Sequence, residues 1–367
     1  MGPPGCPHPH RRLSPEVLTP RAPTRSPRPR IAALIPTLGA DVARLRRSVE
    51  AVRAQHDDVE LEVVCVVNRA GPLSAELADL EELDARVVSA GLNLGWAGGL
   101  AFARSLVDAD LLWLVQDDMA PARTCLAELR RALDDDDGLA VVSPLVVTAD
   151  GMVPPHSCGA SIDDSGALTA LIPAEATAVG DIHPQTWGDY VPSRGMLIRR
   201  QDWDAVGGMD PRYYPVLWAD ADLCAALNAR GRRFAIATRA ECQHQINGSL
   251  PGGLGPILHA RNRELFLAKW RASAAALAVA DPLRPSSVND LDGVVDARLE
   301  RQLLGVVAQS ASDALLHVSR HLMAEVRAER TRANRAEQDA VELRATWSWR
   351  LTAPLRALAR LGARDRR

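Results

Sequence analysis

The stretch IAALIPTLGADVARLRRSVEAVRAQHDDVELEVVCVV, residues 31–67, decides how this chain folds. Its opening, IAALIP, is a short continuous apolar run and reads as a buried strand. Leu45, Val49 and Val52 then recur at helical spacing, and LEVVCVV at 61–67 is a second apolar run, so the unit is strand, helix, strand. Working outward, Arg86–Ser89 reads as a further strand, followed by a glycine-rich turn, a helix over about 99–107 and the strand LLWLVQ at 111–116. Such alternation predicts a parallel sheet covered by helices.

After Asp150 the pattern loosens into a Pro/Gly/Ser-rich stretch through about residue 185, and a long irregular insertion in a compact domain is usually functional. Order returns with YVPSRGMLIRR, a helix at roughly 220–230 and the strand RFAIAT. From about 293 onward the chain reads as helix, with Leu315, Val318, Leu322 and Val326 on one face and a fading apolar face beyond about 328. Residues 1–30 hold nine prolines and six arginines and read as a disordered arm. The expected organisation is therefore an arm (1–30), an α/β domain (31–275), a helical extension (276–345) and a basic amphipathic tail helix (346–367).

With 367 residues, a formal charge of −3 and 47% hydrophobic residues, the chain has the composition of a soluble globular protein and lacks the basic excess of a nucleic-acid binder. Only Lys269 among the 43 basic residues is lysine, a bias that fits a GC-rich genome. Six scattered cysteines form no CxxC pair, which suits a reducing cytoplasm. No stretch has the roughly eighteen consecutive apolar residues of a spanning helix, and the first residues lack the apolar segment of a secretory signal. A cytoplasmic protein is expected.

Four segments carry candidate chemistry. GLNLGWAGG at 91–99 is a glycine turn between strand and helix, where phosphates are often cradled. It does not fit the dinucleotide pattern G-x-G-x-x-G in either frame, since Asn93 and Trp96, or Ala97 and Leu100, occupy the glycine positions. Close approach of a ligand or neighbouring loop, or a plain tight turn, are the remaining readings. In WLVQDDMAP (113–121) an apolar strand runs into two carboxylates. Strand alternation places Gln116 and Asp118 on one face and Asp117 on the other. A carboxylate at this strand end sits where ligands of open α/β sheets bind, and Mg²⁺ or Mn²⁺ on phosphates needs just one or two protein oxygens. Turn or cap duty is the competing reading.

GGMDPRYYPVLWADADLCAALNARG places Asp220 and Asp222 ahead of a helix, where they serve either as helix-start residues or as a base beside an acceptor pocket rich in aromatics. His244 follows RFAIAT and precedes Asn247, Gly248 and Ser249. It completes the coordination of a metal held by Asp118 only if the two strand ends meet in space. Arg261 and Arg263, at the start of an apolar helix, either steady a diphosphate or pair with surface acids.

In order, IPTLG, NLGWAGG, QDD, WADAD, His244 and RNR resemble the motifs of family 2 glycosyltransferases of the GT-A fold, over about residues 31–272. Within that family the branch holding galactofuranosyl- and rhamnosyltransferases is the nearest in pattern. The resemblance implies a GT-A, Rossmann-like α/β fold with a mostly parallel sheet and a C-terminal helical extension. It further implies an inverting enzyme that uses Mn²⁺ or Mg²⁺ and moves a hexosyl group from a UDP- or dTDP-linked donor to a glycan or lipid-linked acceptor in cell-envelope polysaccharide synthesis. Carried over by position, Asp220 is the base and Asp118 and His244 are the metal ligands. Thr37, Asn68, Asn93, Gly95, Trp96, Gly98, Gln116, Asp117 and Arg261 would meet the donor, and Gly195, Trp218 and Asp222 the acceptor. Gln116, Ala219 and the Val67–Asn68 pair depart from the family's usual acidic residues.

Within the tail TWSWRLTAPLRALARLGARDRR at 346–367, WRLTAPLR resembles a C-terminal segment of bacterial glycosyltransferases, and the tail's cationic amphipathic pattern suits an anionic membrane surface at the inner face of the plasma membrane, or docking on the protein's own core. Two other classes stay open: a catalytically idle scaffold of the same fold, and a sugar-phosphate nucleotidyltransferase.

Overall fold

The computed structural model describes residues 28–155, 157–171, 177–178, 188–244, 254–271 and 297–345. The expectations for the arm before residue 28, for Asn247, Gly248 and Ser249, for the boundary near 275 and for the tail 346–367 lie outside the described residues.

The first half runs β1 (Arg30–Thr37), α1 (Val42–Arg53), β2 (Glu60–Val67), the one-turn α2 (Ala75–Ala78), β3 (Ala85–Ser89) and α3 (Gly95–Arg104), then β4 (Leu111–Leu114), β5 (Met119–Pro121), α4 (Cys125–Asp134) and β6 (Leu139–Val147). The loosened stretch holds the short strands β7 (Met152–Val153), β8 (Ala160–Ile162), β9 (Leu168–Ala170) and β10 (Thr177–Ala178). The chain continues with β11 (Met196–Arg199), α5 (Arg200–Val206), α6 (Ala219–Asn228), β12 (Arg233–His244), α7 (Leu254–Arg271) and α8 (Ala297–Ala345).

Eight strands form one sheet in the order β3-β2-β1-β4-β11-β6-β12-β5. The pairs β1–β2, β1–β4, β2–β3 and β6–β12 are parallel, whereas β11 and β5 run antiparallel to their neighbours. Alternation along β1 explains the two-sided core. Ala32 and Leu34 pack with Leu100 and Ala103 of α3 and Leu223 of α6. Ile31, Ala33 and Ile35 pack with Leu45, Val49 and Val52 of α1 and Leu126 and Leu129 of α4. Each fully buried leucine or valine stabilises the fold by roughly 1.5–3 kcal/mol.

Chain order places the site. From β1 the chain steps outward to β2 and β3, then returns to the other flank of β1 as β4. The crevice beyond the carboxyl ends of β1 and β4 is thus a topological switch point, where open α/β sheets bind ligands.

Two helices differ from their sequence reading. α3 begins at Gly95, not near 99, so most of the glycine-rich stretch is the first turns of a helix. Its glycines serve packing: a Cβ on Gly99 would lie 2.7 Å from Asn68 Nδ2, and one on Gly98 would lie 3.1 Å from both Val307 Cγ2 and Leu94 Cβ. In α8 the docked residues are Val307, Ser310 and Ala314, while Leu315, Leu322 and Val326, expected on one apolar face, are exposed. Gly98→Val should therefore weaken the seat of α8 on α3 and cost about 1–3 kcal/mol by overpacking, read as a lower urea midpoint at unchanged m-value. No described helix is long and apolar enough to cross a membrane.

Candidate active site

A cavity of about 910 Å³ opens at the switch point. Its walls come from the end of β1, the start of α3, the turn after β4, the segments 190–194 and 214–221, His244, and the apolar sides of α7 and α8.

The β1 and β4 ends are tied together. Thr37 donates its hydroxyl hydrogen to the Asp117 carboxylate and accepts from the Gly39 N–H at 2.9 Å. Arg44 of α1 reaches the same carboxylate at 3.3 Å. Burial raises the Asp117 pKa, against the Thr37 hydrogen bond and the Arg44 charge. Strand alternation fails here because β4 stops at Leu114: the chain is already turning at Asp117 and Asp118, and Gln116, Asp117 and Asp118 all line the cavity.

Asp118 and His244 meet, with Asp118 Oδ1 lying 3.2 Å from His244 Nε2 and both side chains about one-tenth exposed. The cause is register. β12 runs on past RFAIAT to His244 itself, and its end pairs antiparallel with β5, setting His244 opposite Met119.

Asp220 sits in the first turn of α6, partly buried on the cavity wall. Its carboxylate accepts from the Ala221 N–H at 3.0 Å and from the Ser193 N–H at 3.3 Å. Burial raises its pKa, and the Ser193 and Ala221 amides and the Arg194 charge push the other way. The residues leading into α6 are strained: Leu217 and Trp218 hold φ of 77° and 72°, sparsely allowed for large side chains and characteristic of functional sites. Asn262, fully buried in α7, holds that turn by donating to the carbonyls of Val216 (2.9 Å) and Leu217 (3.0 Å).

The glycine loop forms the facing wall. Trp96 donates through Nε1 to Ser193 Oγ (3.1 Å) and through its backbone N–H to the Pro215 carbonyl (2.8 Å). Asn93 Oδ1 accepts from the Gly95 N–H at 2.8 Å, and Asn68 Nδ2 donates to the Gly95 carbonyl at 3.0 Å. Gly95 has φ +70, and a Cβ there would lie 2.7 Å from the Pro215 carbonyl oxygen, so the loop needs glycine. Asn68 Oδ1, Trp218 Nε1 and His244 Nδ1 are buried and meet no hydrogen-bond partner among the described residues. Three such atoms on one cavity's lining residues suit a site completed by a polar ligand.

Thus Thr37, Asn68, Asn93, Gly95, Trp96, Gln116, Asp117, Asp118, Trp218, Asp220 and His244 share one cavity. Four expected site residues stand elsewhere. Gly98 packs under α8. Gly195 has φ +72 beside Pro144, and its carbonyl accepts from Trp113 Nε1. Arg261 donates to the carbonyls of Arg212, Tyr214 and Ser310, clamping α7 to α8 rather than facing the cavity. Asp222 points into the core, accepting from Lys269 Nζ (2.8 Å), Trp270 Nε1 (2.9 Å) and Tyr213 OH (3.1 Å). Helical spacing explains the last case, since residues two apart on a helix face different ways. Sequence reasoning missed Asn262, between two more conspicuous arginines, and Arg194, which precedes a strand and lines the cavity.

Residues 33–157 match the family described as Glycosyl transferase family 2. Over that stretch, from β1 to the end of β6 and just beyond, the chain is similar to that family. Its fold, a mostly parallel curled sheet with the C-terminal helix α8, is of the GT-A type. It is similar to the crystal structure of GalNAc-T7 with UDP, GalNAc and Mn²⁺, at TM-score 0.52 and 13% identity, over 76% of this chain and 55% of that one. The chain thus spans little more than half the length of that structure. A mannosyltransferase, PcManGT from Pyrobaculum calidifontis in complex with GDP-Man and Mn²⁺, aligns at TM-score 0.42 and 15% identity, covering 78% of this chain and 88% of that one. No curated protein matches the sequence.

Proposed function

We propose that this chain is an inverting, metal-dependent glycosyltransferase that moves a hexosyl group from a nucleoside-diphosphate donor to an acceptor hydroxyl. The observation that carries this reading is the convergence of Asp118, His244 and Asp220 on one cavity at the β1/β4 switch point. Among the described residues no cluster of three His, Cys, Asp or Glu side chains stands ready for a metal. One carboxylate and one imidazole nevertheless fit Mn²⁺ or Mg²⁺ shared with a diphosphate, since such ions take their other ligands from phosphate and water. The His244 Nδ1, buried and without a hydrogen-bond partner among the described residues while Nε2 meets Asp118, fits as well, because a ring nitrogen left unsatisfied in the protein can be satisfied by a cation.

When bound, the cation would act as a Lewis acid on the departing diphosphate. The chain's own part is positional. Thr37 and Arg44 hold Asp117 at the nucleotide end, Asn93, Gly95 and Trp96 wall the donor-sugar region, and Trp218 borders the acceptor side. Asp220 takes the proton of the attacking hydroxyl. A single base suffices for one in-line displacement, which inverts the anomeric centre. The sugar is of the galactofuranose or rhamnose class on UDP or dTDP, and the acceptor is a glycan or lipid-linked glycan of the cell envelope. The cationic amphipathic sequence of the tail 346–367 supports a place at the inner membrane face.

A melting-shift screen with UDP, dTDP and GDP, each with and without Mn²⁺, tests the site. A nucleotide that binds only the folded state stabilises by about 2.7 kcal/mol at a hundredfold excess over Kd. Asp118→Ala is expected to abolish the Mn²⁺-dependent part of that shift and leave the metal-free part. A wild-type protein whose melting temperature ignores all three nucleotides would refute the reading.

A further inference from the structure

The helix α8 passes through two different surroundings. Val307, Ser310 and Ala314 seat its first part on the domain, whereas every residue from Ser319 to Asp339 is exposed. A helix that only extends into water needs no apolar side chains on its surface. Yet Leu315, Leu316, Leu322, Met323 and Val326 are exposed on α8, and among the described residues only Leu38 and Leu217 are large hydrophobics exposed elsewhere. At 100° per residue the five fall within about 120° of arc, so they form one stripe.

The stripe has the spacing of a heptad repeat. With Leu322 at position d and Val326 at a, Leu315 is also at d, and the seam runs on through Ala333, Ala336 and Ala340 at a, d and a. From Leu315 to Ala340 it is about 40 Å long, close to four heptads. Glu329 interrupts it at d, where Arg332 Nε of the same helix donates to its carboxylate at 3.1 Å. A polar residue in such a seam costs stability and fixes register.

Charge on the flanking positions selects the partner. In two parallel helices each g residue faces the e residue five positions further along the other helix. Here Glu325 and Arg332 stand at g, and Arg330 and Glu337 at e. Against a second copy in register, Glu325 meets Arg330 and Arg332 meets Glu337, opposite charges in both cases, and the two-fold axis repeats both pairs on the other side. One heptad earlier, Val318 at g meets Met323 at e, apolar against apolar. A slip of one heptad would set Glu325 against Glu337 and Arg332 against Arg330, like charges both times. Glu325 also lies 3.5 Å from His321 on its own helix, an exposed pair of the kind that contributes little.

We propose that the outer part of α8 pairs with the same segment of a second copy of this chain, as a parallel, in-register two-stranded coiled coil. The pairing is independent of the reading under Proposed function. Leu315 and Val318 line the candidate cavity, so the seam begins at its rim in each copy and carries both cavities at the same end of the coil.

Sedimentation equilibrium of the full-length protein reads the association, with two charge variants and two cysteine variants. Wild type is expected to sediment at twice the chain mass. Glu325→Arg with Glu337→Arg makes all four flanking positions basic, and Arg330→Glu with Arg332→Glu makes all four acidic. Each variant alone should weaken self-association at least about tenfold, and mixing the two should restore the dimer. Ala336→Cys, at a seam position, should form a disulfide-linked dimer under mild oxidation, while Asn334→Cys, on the outer side, should not; wild type, whose described cysteines are buried, gives the background. A wild type that stays monomeric overturns the proposal, whether the stripe then proves to be covered by the tail 346–367 or to bind anionic vesicles. A dimer whose affinity ignores both charge variants, or that Ala336→Cys does not link, overturns the parallel in-register pairing.

Discussion

Asp220→Asn is expected to lower kcat at least about 10²-fold while donor affinity stays within a few-fold of wild type, because general-base assistance is worth roughly 10²–10⁴ in rate. The amide keeps the shape and one acceptor oxygen for the Ser193 and Ala221 N–H groups but cannot take a proton. Comparable turnover in the variant would remove Asp220 from the chemistry. The pH dependence follows from the direction of its shift. Burial lifts the Asp220 pKa, and the base must be unprotonated to act. Wild-type kcat/KM should therefore rise with pH along a limb lying above the ordinary carboxylate range, and the residual activity of Asp220→Asn should lack that limb. Stability moves in the opposite sense. A carboxyl whose folded pKa is raised above its unfolded value of 3.8 contributes stability present below that value and lost as pH climbs through the folded pKa. Relative to wild type, Asp220→Asn should gain melting temperature as pH rises toward neutrality, with the gain disappearing below about pH 4, which thermal scans across the acid range would read.

Lys269→Met is expected to destabilise the fold by about 3–5 kcal/mol, the scale for removing one partner of a buried charge group. Lys269 Nζ bridges Asp222 (2.8 Å) and Asp210 (3.1 Å), and its side chain is 23% exposed against 3% and 12% for the two carboxylates. Burial alone would lower the lysine's pKa, but the paired carboxylates outweigh it and hold the ammonium above its usual value. Without that charge Asp222 keeps, among the described residues, the hydrogen bonds from Trp270 and Tyr213 and loses its direct ion-pair partner while staying buried. Asp222 belongs to the first turn of α6, so loosening it should also misplace Asp220 two positions away. The expected signature is a fall in the urea midpoint accompanied by a fall in kcat. A double change, Lys269→Met with Asp222→Asn, should recover part of the stability because the orphaned charge is gone. That the only lysine in a chain of arginines occupies this place agrees with the geometry, since a compact ammonium can bridge two carboxylates that a planar guanidinium would engage side by side.

Much of this was legible in the residues. Ile31–Ile35 and Leu61–Val67 are apolar enough to be buried on both faces, and Leu45, Val49 and Val52 recur at helical spacing, so strand, helix and strand follow from local pattern alone. The carboxylates after β4 and ahead of α6 were visible for the same reason: polar residues directly abutting apolar elements mark their ends. Strand parity misled at Asp117, because alternation holds only while the ladder lasts and the ladder stops at Leu114. Gly98, Gly195, Arg261 and Asp222 looked like site residues by type, yet each spends its special property, small size or charge, on packing or on a buried partner.

By itself, then, the amino-acid order determined the alternating α/β architecture and the places where carboxylates and histidine leave the regular elements, since both depend on interactions among near neighbours in the chain. Which of those groups share a cavity was decided only by tertiary structure. Asp118 and His244 are brought to 3.2 Å by the antiparallel register of β5 on β12, and Arg194 reaches the same space through the pairing of β11 with β4. Those registers arise from the burial of side chains drawn from the whole sheet, and no local stretch of sequence encodes them.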